Sequence, residues 1–136
     1  MFSILIPVQN YDVSSLVKSL RADSVASGIS IEIIVSEDGS EPSFVTKNAE
    51  LLRAGLIEHA VYSVERGRSA NRNGLAKQAT FEHLIFIDAD SGISPGYLRN
   101  YADAIGKADA VVGGTTYTDE QKSPETLLRW KYGIKR

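Results

Sequence analysis

The sequence predicts an α/β fold, a mostly parallel sheet with helices on both faces. Three observations carry this. Short Ile- and Val-rich runs alternate with longer amphipathic segments, the runs are apolar on both faces, and turn or capping residues separate the two kinds. A strand buried on both sides needs helices above and below it, and right-handed crossovers make such strands parallel.

Phe2 to Val8 reads as the first strand, with Ser3 its one polar residue. Val13 to Ala26 follows as a helix whose Val13, Leu16, Val17, Leu20 and Val25 form one apolar stripe. Asp12 is placed to cap it and Gly28 to end it. Ile31 to Val35 is the second strand, and Ser43 to Ala54, stopped by Gly55, the second helix. Ala60 to Val64 is a weaker third strand, leading to a third helix over Ser69 to Ala79. Leu84 to Ile87 is the fourth strand. Pro95 to Ile105 reads as the fourth helix, with Ser94 as cap, Pro95 at its first position and Gly106 past its end. Ala110 to Val112 is the expected fifth strand. Residues 1–114 thus form one domain, and 115–136 a polar loop followed by a basic helix.

Composition narrows the function classes. Of 136 residues, 43% are hydrophobic and 24% charged, as expected of a globular chain. The net charge of −2 argues against a nucleic-acid face, which needs clustered Lys and Arg. The absence of cysteine excludes disulfides, thiolate metal sites and a Cys nucleophile, and suits a cytoplasmic setting. The apolar N-terminus lacks a basic leader and a small-residue cleavage site, so it reads as a strand and not a signal peptide. The Arg129-Trp130-Lys131-Tyr132 cluster suits a peripheral membrane contact, an anionic substrate, or packing against a further half of a larger domain.

In a parallel sheet, ligands bind beyond the carboxyl ends of the strands. Those ends read Pro7-Val8-Gln9-Asn10, Ser36-Glu37-Asp38-Gly39-Ser40, Glu65-Arg66-Gly67-Arg68 and Asp88-Ala89-Asp90-Ser91. Acids and arginines converging on one sheet edge suggest an ion-containing site. Asp88 and Asp90, one residue apart after a buried strand, can both face Mg²⁺ or Mn²⁺, or can form an Asx turn. Asp38 can accept a hydrogen bond from a base or ribose, or simply serve an Asp-Gly turn. Arg66 and Arg68 stand before a helix N-terminus, where anions bind, or form a solvated rim. Asn71 and Asn73 in that helix can brace the strand-end loops or lie on its exposed face. His59 and His83, at strand starts on the opposite edge, have no ligand partners at suitable spacing and read as structural.

Taken in order, Ile6-Pro7-Val8-Gln9-Asn10, Glu37-Asp38-Gly39-Ser40, Asn71-Arg72-Asn73 and Asp88-Ala89-Asp90 resemble the motifs of family 2 glycosyltransferases of the GT-A fold. The resemblance implies the Rossmann-like, nucleotide-binding half of that fold. It implies Pro7, Val8 and Gln9 lining a nucleoside pocket, Asp38 on the base, and Arg66 or Arg68 near base or phosphate. Asn73 would stand for the family's asparagine. Asp88 would lie by the ribose and the metal's water shell, Ala89 would belong to the substrate-binding set, and Asp90 would ligate a Mn²⁺ or Mg²⁺ that bridges the diphosphate. The implied reaction is inverting transfer of a sugar from a nucleotide-diphosphate sugar, UDP favoured, to a saccharide or lipid-linked acceptor. That suits bacterial cell-surface polysaccharide synthesis in the cytoplasm, at the inner face of the membrane. Gln9 replaces the usual Tyr, Glu37 the first acid of the usual pair, Asn71 the usual Ala, and Ser91 a frequent third acid. No acid after the triplet stands where a general base is expected, so the alternative is a donor-binding module without turnover. The lack of a Gly-rich loop after the first strand argues against a nucleotidyltransferase or a dinucleotide-binding domain.

Overall fold

A computed structural model describes residues 1–62, 64–114 and 124–125, His59 by its backbone. The chain divides into two compact units, Met1–Asp103 and Ala104–Arg136.

The first unit holds β1 (Phe2–Val8), α1 (Ser14–Ser27), β2 (Ile31–Asp38), α2 (Pro42–Arg53), β3 (Glu58–Tyr62), α3 (Arg68–Gln78), β4 (His83–Phe86) and α4 (Tyr97–Ala102). The four strands form one parallel sheet in the order β3-β2-β1-β4. Register pairs Phe2 with Ile31 on one side of β1 and with His83 on the other. Sequence order reverses at β1, so the switch point lies between β1 and β4.

Both sheet faces are covered, as continuous apolar strands require. Ile4, Ile6 and Val8 pack with Ile33 and Val35 against Val13, Leu16, Val17 and Leu20 of the α1 segment, Leu51 of α2 and Leu98 of α4. On the other face Leu5 and Ile34 pack against Leu75 of α3, which is fully buried. At the opposite end from the site, Glu32 accepts hydrogen bonds from the Ser3 hydroxyl and from the Thr80 backbone N–H at 2.6 Å. His83 makes an edge contact with the Phe2 ring, centroids 6.0 Å apart.

Three expectations require correction. Asp12 does not occupy the cap of α1. Val13 does, and the Asp12 carboxylate accepts the Ser14 N–H at 2.9 Å from one place earlier. The fourth helix begins not at Pro95 but at Tyr97, because Gly96 turns left-handed at φ 80. The Tyr97 N–H bonds the Ser94 carbonyl at 3.2 Å, while the N–H groups on either side of it are satisfied from outside rather than by the Ser94 side chain. The buried carboxylate of Asp23, on α1, accepts from Gly96 N–H at 2.7 Å and Leu98 N–H at 2.9 Å. Ala110–Val112, in the second unit, forms no strand. Three residues are a strand only when a neighbour takes their backbone groups, and Val112 is 95% exposed. Elsewhere in that unit, Lys107 N–H bonds Ala104 O in a turn that Gly106 completes at φ 79. The loop and helix expected over 115–136 lie outside the described residues apart from 124–125. Among the described residues, no helix is long and apolar enough to cross a membrane.

Candidate functional site

The carboxyl ends of the strands open on a cleft of about 370 Å³ lined by Pro7, Val8, Gln9, Asp38, Arg68, Asp88, Ala89 and Asp90, with Tyr11, Glu65, Asn71 and Arg72. Eight of the ten residues expected at the site therefore line one cleft, at the switch point. Asp38 and Asp90 share it although β2 and β4 are separated by β1. A smaller cleft of about 170 Å³ adjoins, bounded by Tyr11, Asp12, Ser15, Ser19 and again Asp90.

Asp38, at the end of β2, is nearly buried. Its Oδ1 accepts the Arg66 backbone N–H at 3.0 Å and its Oδ2 the Gly67 N–H at 3.0 Å. The carboxylate thus pins the β3–α3 loop to the sheet edge while still facing the cleft. The loop passes close beneath the Asp-Gly turn. A Cβ on Gly39 would meet Glu65 N at 3.0 Å, and Gly39 sits at φ 73, so the position has two independent reasons to be glycine.

The two arginines of this loop part company. Arg68 opens α3 and lines the cleft. Arg66 does not: its guanidinium lies over the Tyr62 ring, 3.1 Å from the centroid, with Nε 3.4 Å from Asp38 Oδ1. Gly67, at φ 89, swings the chain between them. The asparagines separate for a helical reason. Asn71 and Leu75 share the buried face of α3, and Asn71 Nδ2 donates to Ser36 O at 3.3 Å. Asn73, two residues and about 200° further round the helix, is exposed and outside the cleft.

Arg72 reaches Asp88, its Nη2 2.5 Å from Oδ1. Arg68, Asn71 and Arg72 stand at i, i+3 and i+4 on one face of α3, a spacing legible in the sequence, where Arg68 and Asn71 were considered separately and Arg72 was given no role. Tyr11, the one aromatic residue among those lining the cleft, also went unassigned. The lining carries four acids (Asp38, Glu65, Asp88, Asp90) and two arginines.

Asp88 and Asp90 are exposed, and among the described residues no group of three or more His, Cys, Asp or Glu is placed to hold a metal. With Arg72 on Asp88 Oδ1, the hard oxygens open to a cation are Asp88 Oδ2 and the Asp90 carboxylate. Such a sparse set fits Mg²⁺ or Mn²⁺ only where a ligand's phosphate oxygens and water complete the shell.

The family model described as Glycosyl transferase family 2 matches residues 3–135. Among solved structures, TarS from S. aureus is similar. TarS 1–349 in complex with UDP-GlcNAc aligns at TM-score 0.67 and 19% identity, covering 93% of this chain and 37% of that one. The complex with UDP aligns at TM-score 0.66 and 19% identity, covering 93% and 38%. A longer TarS structure aligns at 0.64 and 20% identity, covering 86% and 24%. The chain therefore spans about a quarter to two-fifths of the length of these structures. No curated protein sequence matches it.

Proposed function

Because the chain belongs to glycosyl transferase family 2, we propose that its switch-point cleft binds the nucleotide-diphosphate sugar donor of an inverting sugar transfer. The carrying observation is that Pro7, Val8 and Gln9, the Asp38 carboxylate and the Asp88-Ala89-Asp90 triplet line one cleft. Asp38 Oδ2 accepts a single protein hydrogen bond and keeps a lone pair for the imino N–H of uracil. The TarS complexes with UDP and UDP-GlcNAc favour a uridine donor. Tyr11, rather than Gln9, supplies the aromatic face against which a base can stack.

Arg68 and Arg72 give the diphosphate two guanidinium partners. Asp90, with the free oxygen of Asp88, would hold Mn²⁺ or Mg²⁺ against the diphosphate. There the ion would stabilise charge developing on the departing nucleoside diphosphate. Arg72 is the residue that must then share Asp88 or turn to phosphate. The acceptor is a saccharide or lipid-linked hydroxyl, the setting bacterial cell-surface polysaccharide synthesis at the cytoplasmic face of the membrane.

A second reading is donor binding without turnover. It is favoured by the duties these acids already carry, Asp38 holding backbone N–H groups and Asp88 pairing with Arg72, contacts that favour the carboxylate over the protonated form an acceptor's proton would create. Titration of UDP, GDP and dTDP-sugars with Mn²⁺, beside an assay of sugar release, separates these. Saturable UDP-sugar binding is expected. Equal or no binding of all three nucleotides would sink the donor reading, and binding without release would select the second one.

A further inference from the structure

Glu37 is fully buried at the end of β2 yet does not line the cleft. Its side chain points away from Asp38 because successive strand residues face opposite sides. On that side its carboxylate meets helix α2 and the loop that leads into it. Oε1 accepts from Asn48 Nδ2 at 2.6 Å, and Oε2 from the Ser40 hydroxyl at 2.5 Å.

Both partners pass the constraint on to the β1–α1 loop. Asn48, also fully buried, uses its other Nδ2 hydrogen on Tyr11 O at 2.8 Å, and its Oδ1 accepts Val13 N–H at 3.1 Å. Its amide orientation is therefore fixed, since a flip would set a donor against the Val13 N–H. Ser40 Oγ accepts the Asn10 N–H at 3.0 Å, and Asn10 Oδ1 accepts the Glu41 N–H at 2.7 Å.

Asn10 is the point where this matters. At φ 54 it is the one non-glycine residue with positive φ among the described residues. A left-handed residue costs free energy that the surroundings must offset. Asn10 also separates Gln9 from Tyr11, both of which line the cleft. The turn at Asn10 decides where those two side chains stand.

We propose that Glu37 is a positioning residue for the donor cleft: through Asn48 and Ser40 it holds the β1–α1 loop in the left-handed turn that presents Gln9 and Tyr11. It touches no donor atom itself. The proposal rests on the donor-binding reading above.

The test uses the 136-residue chain with Glu37→Gln, Ser40→Ala and Ser40→Thr. Amide hydrogen exchange at residues 10–13 reads the loop directly, and titration with UDP and Mn²⁺ reads the cleft. Ser40 is half-buried and its substitution removes one hydroxyl, so that variant keeps the experiment decisive if Glu37→Gln fails to fold. Expected are faster exchange at residues 10–13 and about tenfold weaker UDP binding for Ser40→Ala, with Ser40→Thr restoring both. A purely structural role would lower the unfolding midpoint without this local exchange and affinity loss. Unchanged UDP affinity in the folded variants overturns the positioning role while leaving the donor reading intact. A wild-type chain that binds no UDP overturns both, and is distinguished by failing before any substitution is made.

Discussion

Replacing Asp38 separates its two duties, holding a loop and facing a ligand. In Asp38→Ala the backbone N–H groups of Arg66 and Gly67, each 3.0 Å from a carboxylate oxygen, lose their acceptors. A hydrogen bond to a charged group is worth about 1.5–3 kcal/mol net, and water can reach this partly exposed loop and recover some of it. The expected loss of stability is therefore about 2–4 kcal/mol for Asp38→Ala. Asp38→Asn keeps one acceptor oxygen and turns a donor toward the other N–H, so about half that loss is expected. Arg66→Ala supplies the contrast. It retains the backbone N–H and removes the stacking on Tyr62 and two long contacts, Nε to Asp38 and Nη2 to Asn71 Oδ1 at 3.4 Å, at about 1 kcal/mol. Urea unfolding with a common m-value measures all three. Asp38→Ala within about 0.5 kcal/mol of wild type, or no more costly than Arg66→Ala, would refute the claim that this carboxylate anchors the β3–α3 loop.

Two further outcomes follow from contacts elsewhere in the first unit. Asp23→Ala strips α4 of the acceptor for Gly96 and Leu98 N–H and should cost about 1–3 kcal/mol. Hydrogen exchange should show α4 opening before the sheet, and a loss spread evenly over the chain would count against this. The Asp12 carboxyl is lowered from 3.8 to about 2, first by its hydrogen bond to Lys47 and then by Ser14. Its folded value lies below its unfolded one, so its contribution is present above about pH 4 and fades as pH falls toward 2. Asp12→Asn should flatten that part of the stability profile, and an unaltered profile would contradict the assignment.

The strands and the strand-end site were legible because both depend on local pattern. Continuous apolar runs such as Phe2–Val8 demand burial on two faces, and the ligand rule then points to their carboxyl ends. What local pattern missed was set by distant groups. Ser94-Pro95 reads as a helix start, but Asp23 on α1 supplies the acceptor two residues later. Ala110–Val112 has strand composition without a paired neighbour. Arg66 and Arg68 are equivalent in sequence, and only the left-handed Gly67 decides which one enters the cleft. Glu37 looked like a mild exchange of one acid for another. Ser40 stands three residues on in the same motif, but Asn48 lies on α2, and only the fold brings its amide to the Glu37 carboxylate.

Asp38 and Asp90 share one cleft, and the nucleotide diphosphate site proposed there would depend on a cation. Calorimetric titration of UDP, with and without Mn²⁺, on wild type and Asp90→Ala tests it most directly. Wild type should bind UDP at least about tenfold more tightly with Mn²⁺. Asp90→Ala, an exposed change, should keep the fold and lose that enhancement. Equal enhancement in both proteins, or none in wild type, would contradict the account.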